Sequence, residues 1–320
     1  QDALALRGQR LLALARRLDA PADATGLPVL RPSPKPAPEL RPKRLSVTEI
    51  ETLIRDPYAI YARHVLKLLP FDRIGETPDF ASRGSLLHDI LQEFLEARQT
   101  GFDTPEAAAE LKQIAQIHFR TIAAYPELYA RWHTRFQRIS DWFLGFEAQR
   151  SGAVRQRLTE LSGSLELGVP QFRLTGRADR IDILNNDLVE IIDYKTGQVP
   201  TKAQVETNLA PQLPLEAAIV AAGGFTGIPA VPSQTLAYVR LSGNRIPGVY
   251  APVSEGEAEV TDLAADTLAR LRGLITHFAD AETGYLSQAQ PQTVRYEGAY
   301  DHLARVAEWR AMGQGEEAEE

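Results

Sequence analysis

The chain has 320 residues, no cysteine and a formal charge of −7 at pH 7. That length is ample for one large domain or two smaller ones, and the missing thiols exclude disulfides, thiolate metal sites, a cysteine nucleophile and any cysteine-held iron–sulfur cluster. The acidic balance argues against a surface that grips nucleic acid everywhere but leaves room for a local basic groove. Four glutamates fall among the last five residues, so residues 316–320 are set apart as a solvated acidic tail. No run approaches the ~18 apolar residues of a bilayer span and no signal peptide opens the chain, so a cytoplasmic protein with no membrane partner is expected. A start at Gln1 rather than Met reads as a segment of a longer polypeptide.

In chain order, Leu4, Leu6, Leu11, Leu12 and Leu14 among alanines and arginines give a helical pattern over residues 3–18. Seven prolines between Pro21 and Pro42 then predict an extended linker, which closes a first segment at residue 44. Its basic residues Lys35, Arg41, Lys43 and Arg44 are read as solvated, with a phosphate-tracking role as the alternative. Ser46 and Glu49 form a capping box for the next helix, and helical pattern continues over 58–69 after Pro57. A stronger helix is predicted over 85–97, where Leu86, Leu87, Ile90, Leu91, Phe94 and Leu95 share a stripe and His88 sits at its flank. Further helical patterns fill 105–150, with Trp132 and Trp142 as core residues.

From Leu165 the period changes to that of strands. Runs over 171–184 and 188–194 flank Asn185-Asn186-Asp187, which has the composition of a hairpin turn. Helices are predicted around Ala203 and over 212–222, a strand over 234–241, a turn at Gly243-Asn244 and a long helix over 260–279. This order implies an α/β (α+β-like) core over 45–315, a small mixed sheet flanked by helices with a helical N-terminal portion.

The chemistry concentrates in Gly176-Arg-Ala-Asp179 and Asp193-Tyr-Lys195-Thr-Gly197. With Asn185 to Asp187 as a three-residue turn, Leu184 faces Leu188 and the count back sets Asp179 against Asp193. Opposite residues of an antiparallel pair lie only about 4.5–5.5 Å apart at Cα, and like charges there repel. A hard divalent cation taking carboxylate oxygens and a backbone carbonyl offsets that repulsion. Lys195, two residues on from Asp193, faces the same way and places an ammonium beside the water such a cation activates, as phosphodiester hydrolysis requires. The same register turns Asp182 to the opposite face, against Glu190. Asp and Lys two apart on a strand are common on solvated faces; here they end a largely apolar strand that faces a second acidic one. His88, four residues after Gly84 at a helix start, is the third element, against the commoner reading of a boundary histidine.

Gly84-x-x-x-His88, Gly176-x-x-Asp179, Asp193-Tyr-Lys-Thr-Gly197 and Gln212-Leu-Pro-Leu215 resemble, in order and spacing, the motifs of the RecB-type PD-(D/E)XK nucleases over residues 45–222. Within that branch the chain is most similar to the C-terminal domain of the AddB family in its alphaproteobacterial form. Leu45-Ser-Val-Thr-Glu-Ile-Glu51, Arg55-Asp-Pro-Tyr58 and Tyr300-Asp-His-Leu-Ala-Arg305 add to the likeness. The resemblance implies a restriction-endonuclease-like core with His88, Asp179, Asp193 and the Tyr194 carbonyl as ligands of Mg²⁺, for which Mn²⁺ would substitute. It implies catalytic roles for Asp179, Asp193 and Lys195, with Gln212 positioning the site or the strand. It further implies DNA as substrate, its single-stranded end fed to the site, an AddA-like helicase-nuclease as partner and a nucleoid-associated role in double-strand-break repair and recombination. Many relatives hold an iron–sulfur cluster through four cysteines, which this chain lacks. The motif tyrosine after Gln212 is replaced by Glu216, read equally as a surface helix residue. Alternatives are a silent DNA-binding scaffold in the same complex and a stand-alone nuclease of another pathway.

Overall fold

The computed structural model describes residues 2–19, 29–70, 78–168, 170–293 and 298–316. The chain divides into two compact units, one formed by 33–296 and the other by 1–32 with 297–320. In the smaller unit α1 (Asp2–Asp19) carries its leucines on the surface, Leu4, Leu6, Leu11, Leu12 and Leu14 all being exposed. Residues 20–28 of the proline-rich stretch and Glu317, Glu319 and Glu320 of the acidic tail lie outside the described residues.

The larger unit begins with extended chain. Arg41, expected in solvent or along a phosphate backbone, is instead buried, its guanidinium donating to the carbonyls of Pro36 (3.0 Å), Phe278 (2.8 Å), Ala281 (3.0 Å) and Thr283 (3.1 Å). Five donors in a planar fork suit it to staple one stretch of backbone to another. A short β1 (Arg44–Ser46) follows, then α2 (Val47–Arg55), started by the predicted capping box of Ser46 and Glu49. In place of a continuous helix over 58–69, α3 (Pro57–Ile60) widens into a π turn over Tyr61–Val65 and ends, with Lys67 at φ 59° reversing the chain.

The helical layer comprises α4 (Phe80–Ala97), α5 (Pro105–His118) and α6 (Pro126–Arg150). Strands β2 (Val154–Glu166), β3 (Arg173–Leu184) and β4 (Val189–Lys195) come next. After α7 (Lys202–Glu206) and α8 (Gln212–Ala221) the chain returns to the sheet as β5 (Ser233–Leu241) and β6 (Gly248–Glu255) and leaves it as α9 (Glu257–Ala279). The last helix, α10 (Val306–Glu316), belongs to the smaller unit. Sequence pattern missed β1, β2 and β6: β1 has three residues, β2 mixes polar residues with Gly163 along its length, and β6 carries Pro252. Trp132 is buried as expected, whereas Trp142 is only half-buried, lying so close over Gly248 that a Cβ there would stand 2.2 Å from its ring.

The six-stranded mixed sheet runs β1-β3-β4-β5-β6, with β2 on the other edge of β3. β4 and β5 are parallel and the β2–β3, β3–β4 and β5–β6 pairs antiparallel. β1 pairs with residues 173–175 of β3 and β4 with residues 180–183, both opposite the edge that β2 covers. Residues 176–179 therefore face a fork between two neighbours. Apolar cores fill both sides: Ile181, Ile191 and Leu236 pack with α2, α8 and α9, and Ile192, Tyr194 and Val239 with α4, α5 and α6. Burial on both faces explains the near-continuous apolar run of β4. Among the described residues no helix is long and apolar enough to cross a membrane.

Beneath the sheet on the α6 side lies a charge network in which three arginines meet three carboxylates. Fully buried Arg180 holds Asp182 through Nε (2.7 Å) and Nη2 (2.8 Å) and reaches Glu147 through Nη2 at 3.0 Å. Arg157 Nε donates to Glu147 at 2.6 Å, and Arg150 bridges Asp182 (2.8 Å) and Glu190 (2.5 Å). Burial works against the charge on Asp182, yet Arg180 and Arg150 hold its carboxyl below the usual range. Glu147→Ala leaves two buried guanidinium groups short of their carboxylate and is expected to cost about 3–5 kcal/mol in denaturant unfolding. Because the folded pKa of Asp182 is depressed, its contribution is present above the unfolded pKa of 3.8 and lost as pH falls through the folded value. Melting temperature should accordingly drop steeply below about pH 4.

Candidate metal-dependent active site

Asp179 stands at the fork. The observed pairs Asp182–Glu190 and Ile181–Ile191 follow the three-residue turn predicted from Asn185 to Asp187, and continuing the count sets Asp179 against Asp193. The paired residues end at Arg180–Ile192 while β4 runs on to Lys195. Where a continued ladder would offer a carbonyl of β3 to the Tyr194 N–H, Asp179 Oδ2 accepts it at 2.9 Å. The carboxylate thus caps the opening between the strands.

His88 reaches the same point from α4. Its Nε2–H donates to the Tyr194 carbonyl at 3.1 Å, and its Nδ1 lies 3.5 Å from Asp179 Oδ2. An imidazole nitrogen and a carboxylate oxygen brought this close are ligand types that one cation can bridge. Glu160, which the sequence reading did not single out, is the third member: ligand atoms of His88, Glu160 and Asp179 all lie within 4.8 Å of one another. β2 places it there by bending, since Glu160 has φ 53° between the register pairs Thr159–Arg180 and Leu161–Ala178. A left-handed residue inside a strand is legible only in the backbone.

A second group adjoins it, built on β4 and α8. Buried Asp193 lies 2.7 Å from Lys195 Nζ through Oδ2 and accepts the Gln212 amide at 2.6 Å through Oδ1. The Lys195 ammonium is thus the partner of Oδ2, as the Gln212 amide is of Oδ1. Lys195 also points to Gln212 Oε1 at 3.4 Å. Burial disfavours the charge on Lys195, but the Asp193 carboxylate outweighs it and the ammonium is held above its usual range. Asp179 lacks a basic partner of that strength; burial first and the Asp193 charge second push its carboxyl up to about 7. The donor set, hard carboxylates with one imidazole, fits Mg²⁺ or Mn²⁺ better than a soft metal.

Glu216 belongs to this group and is not a surface residue. It is fully buried, accepts from Gln212 Nε2 at 3.2 Å and leaves its other oxygen without a partner. Gly176 of β3 faces the same helix, where a Cβ would crowd Ile219 at 3.1 Å and touch the Glu216 side chain at 3.8 Å. A signal was present: Glu216 is the one charged residue of α8, apolar on every other side. Burial, then the charges of Asp193 and Asp179, push its carboxyl well above the usual range.

A family model described as the PD-(D/E)XK nuclease superfamily matches residues 44–296. An uncharacterized protein of Rickettsia bellii is 34% identical over 188 residues, covering 58% of this chain and 22% of its own length. One of Rickettsia conorii is 33% identical over 219 residues, covering 64% of this chain and 26% of its own. The chain thus spans about a quarter of the length of these relatives. The crystal structure of SSO0001 is similar over 71% of this chain and 76% of its own, at 16% identity and a TM-score of 0.30.

The raised carboxyl of Glu216 has a consequence for stability. A folded pKa above the unfolded 4.5 means that the folded state binds the extra proton, so stability falls as pH rises above that value. Glu216→Gln keeps the shape and removes the titration; its metal-free melting temperature should fall less between pH 5 and 8 than that of the wild type, by scanning calorimetry. Parallel curves would show that Glu216 does not carry this cost.

Proposed function

The chain belongs to the PD-(D/E)XK nuclease superfamily, and from that premise we propose that it is a Mg²⁺-dependent deoxyribonuclease domain, with Mn²⁺ as a substitute. It acts as the exonuclease module of an AddAB-type complex beside an AddA-like helicase-nuclease, in double-strand-break end resection and recombinational repair. The observation that carries the nuclease reading is the pairing of Lys195 with Asp193 at 2.7 Å beside the fork that holds Asp179 and His88. Relatives about four times as long favour a module of a larger protein over a stand-alone enzyme. This reading places the protein in the cytoplasm at the nucleoid.

In this scheme His88, Asp179 and Asp193 hold the cation, with Glu160 within reach of the same position and the Tyr194 carbonyl beside it. When bound, the cation supplies Lewis-acid stabilisation of the phosphoryl group and lowers the pKa of its water. Asp193 keeps Lys195 charged, and the one-third of the side chain left exposed turns that charge to the cleft, where it neutralises charge developing on the phosphoryl oxygens. Gln212 donates to Asp193 and accepts from Lys195, which fixes both relative to α8. His88 and Lys195 keep part of their side chains exposed, and it is there that a strand end of DNA would enter.

Asp193→Ala should abolish cleavage of an end-labelled linear single strand in Mg²⁺. Lys195→Met should slow turnover by about 10²–10³-fold, as for loss of one transition-state contact, with cation affinity unchanged. Unaltered turnover in Lys195→Met would remove the lysine from the mechanism.

A further inference from the structure

The outward stripe of α6 holds Arg131, Arg135 and Arg138, spaced four and three residues apart. Such spacing sets side chains one above another along a helix. Among the described residues none of these three makes an ion pair, whereas Arg55, Arg98 and Arg270 on other helices or their ends do, as does Arg150 at the end of α6 itself. In a chain with seven more acidic than basic residues, three arginines of one stripe outnumber the carboxylates at its two ends, Glu127 and Asp141, and leave a local excess of positive charge.

Two structural links tie this stripe to the chemistry. Lys195 pairs with Arg240 across the parallel β4–β5 ladder, and three residues past Arg240 the chain turns at Gly243, φ 65°. That turn packs so tightly on Arg135 that a Cβ at Gly243 would lie 2.6 Å from the Arg135 Cβ. Arg83, five residues before His88 on α4, donates to the Thr196 carbonyl at 3.1 Å and lines one small, mostly apolar cavity with Arg135. Its guanidinium is held below the usual range, by burial first and then by Arg135 and Arg131. The middle residue of the stripe, Arg135, thus packs on the turn just past the carboxyl end of β5, on the side of the sheet where open α/β sheets receive ligands, and 131 to 138 spans about 10.5 Å at 1.5 Å per residue.

We propose that Arg131, Arg135 and Arg138 form a phosphate track on α6, which holds the backbone of single-stranded DNA on its way to or from the site at the fork. This rests on the nuclease reading and adds where the substrate lies. Contacts of this kind position the strand without reading its sequence. Trp132 and Phe136 beside the stripe are buried and His133 is stacked on Tyr129 at 5.6 Å, which leaves charge as the means of recognition.

The test uses the full chain and a variant carrying Arg131→Gln, Arg135→Gln and Arg138→Gln together. Binding of a labelled oligothymidylate is measured in EDTA across a range of KCl, so that cleavage plays no part. With ~0.7 counterions released per single-strand phosphate contact, the variant should lose ~2 from the slope of log affinity against log salt. Arg→Lys at the same three positions should restore it. Hydrolysis of thymidine 5′-(p-nitrophenyl phosphate), too short to reach α6, should be unchanged. Wild-type affinity and slope in the glutamine variant would overturn the track, as would failure of the lysine variant or an equal fall in small-diester hydrolysis. Equal competition by polyglutamate, lost in the same variant, would point to an acidic protein and also overturn it. If the wild type binds oligothymidylate with the predicted slope but hydrolyses neither substrate, the nuclease reading fails and the track stands.

Discussion

Two pairs of carboxylates lie between β3 and β4, one within the ladder and one past its end, and the protein resolves the two in different ways. On the α6 side Asp182 meets Glu190, and Arg150 bridges them while Arg180 clasps Asp182 from its own strand. That pair is neutralised by groups the chain supplies. At the fork Asp179 lies near Asp193, while Lys195 is bound to Asp193 and Arg177 to Glu160. Burial first, and then the repulsion left over from Asp193, push the carboxyl of Asp179 up to about 7. A protein able to place arginines two residues away has left this pair short of positive charge, and a divalent cation is what such a deficit attracts.

The buried network and the site share the same short stretches of chain. Arg180 follows Asp179, and Tyr194 lies between Asp193 and Lys195; Arg180 Nη1 donates to the Tyr194 hydroxyl at 3.0 Å on the far side of the sheet. Alternation along a strand then turns Asp193 and Lys195 toward α8, while Asp179 swings into the opening where β4 departs. Rigid charged contacts behind and an open fork in front give the precision that a catalytic arrangement needs. Glu216 and Gln212 add a polar seam along α8, set into an otherwise apolar helix, whose buried cost is a further sign of a functional surface.

Much of this was legible in the residues. The turn at Asn185 to Asp187 set the register, the capping box of Ser46 and Glu49 located α2, and the apolar run before Asp193 announced a central strand. Other parts were not. β2 shows no clean alternation, and Glu160 reaches the site only because its backbone turns left-handed, which no side-chain pattern encodes. Arg41 looks like a linker residue until the carbonyls of α9 and the loop after it are seen around it. Asp182, Glu147 and Arg157 carry no local mark of burial, because their partners come from separate elements and meet only in three dimensions.

The most direct measurement of the central claim is cation affinity, followed by Mn²⁺ electron paramagnetic resonance with Mg²⁺ competition, for the wild type and Asp179→Asn. The account predicts a site that Mg²⁺ displaces, lost or weakened at least ten-fold when the fork carboxylate is made neutral with its shape retained. Equal Mn²⁺ affinity in the two proteins would show that the carboxylate at the fork does not hold the cation, and would contradict it.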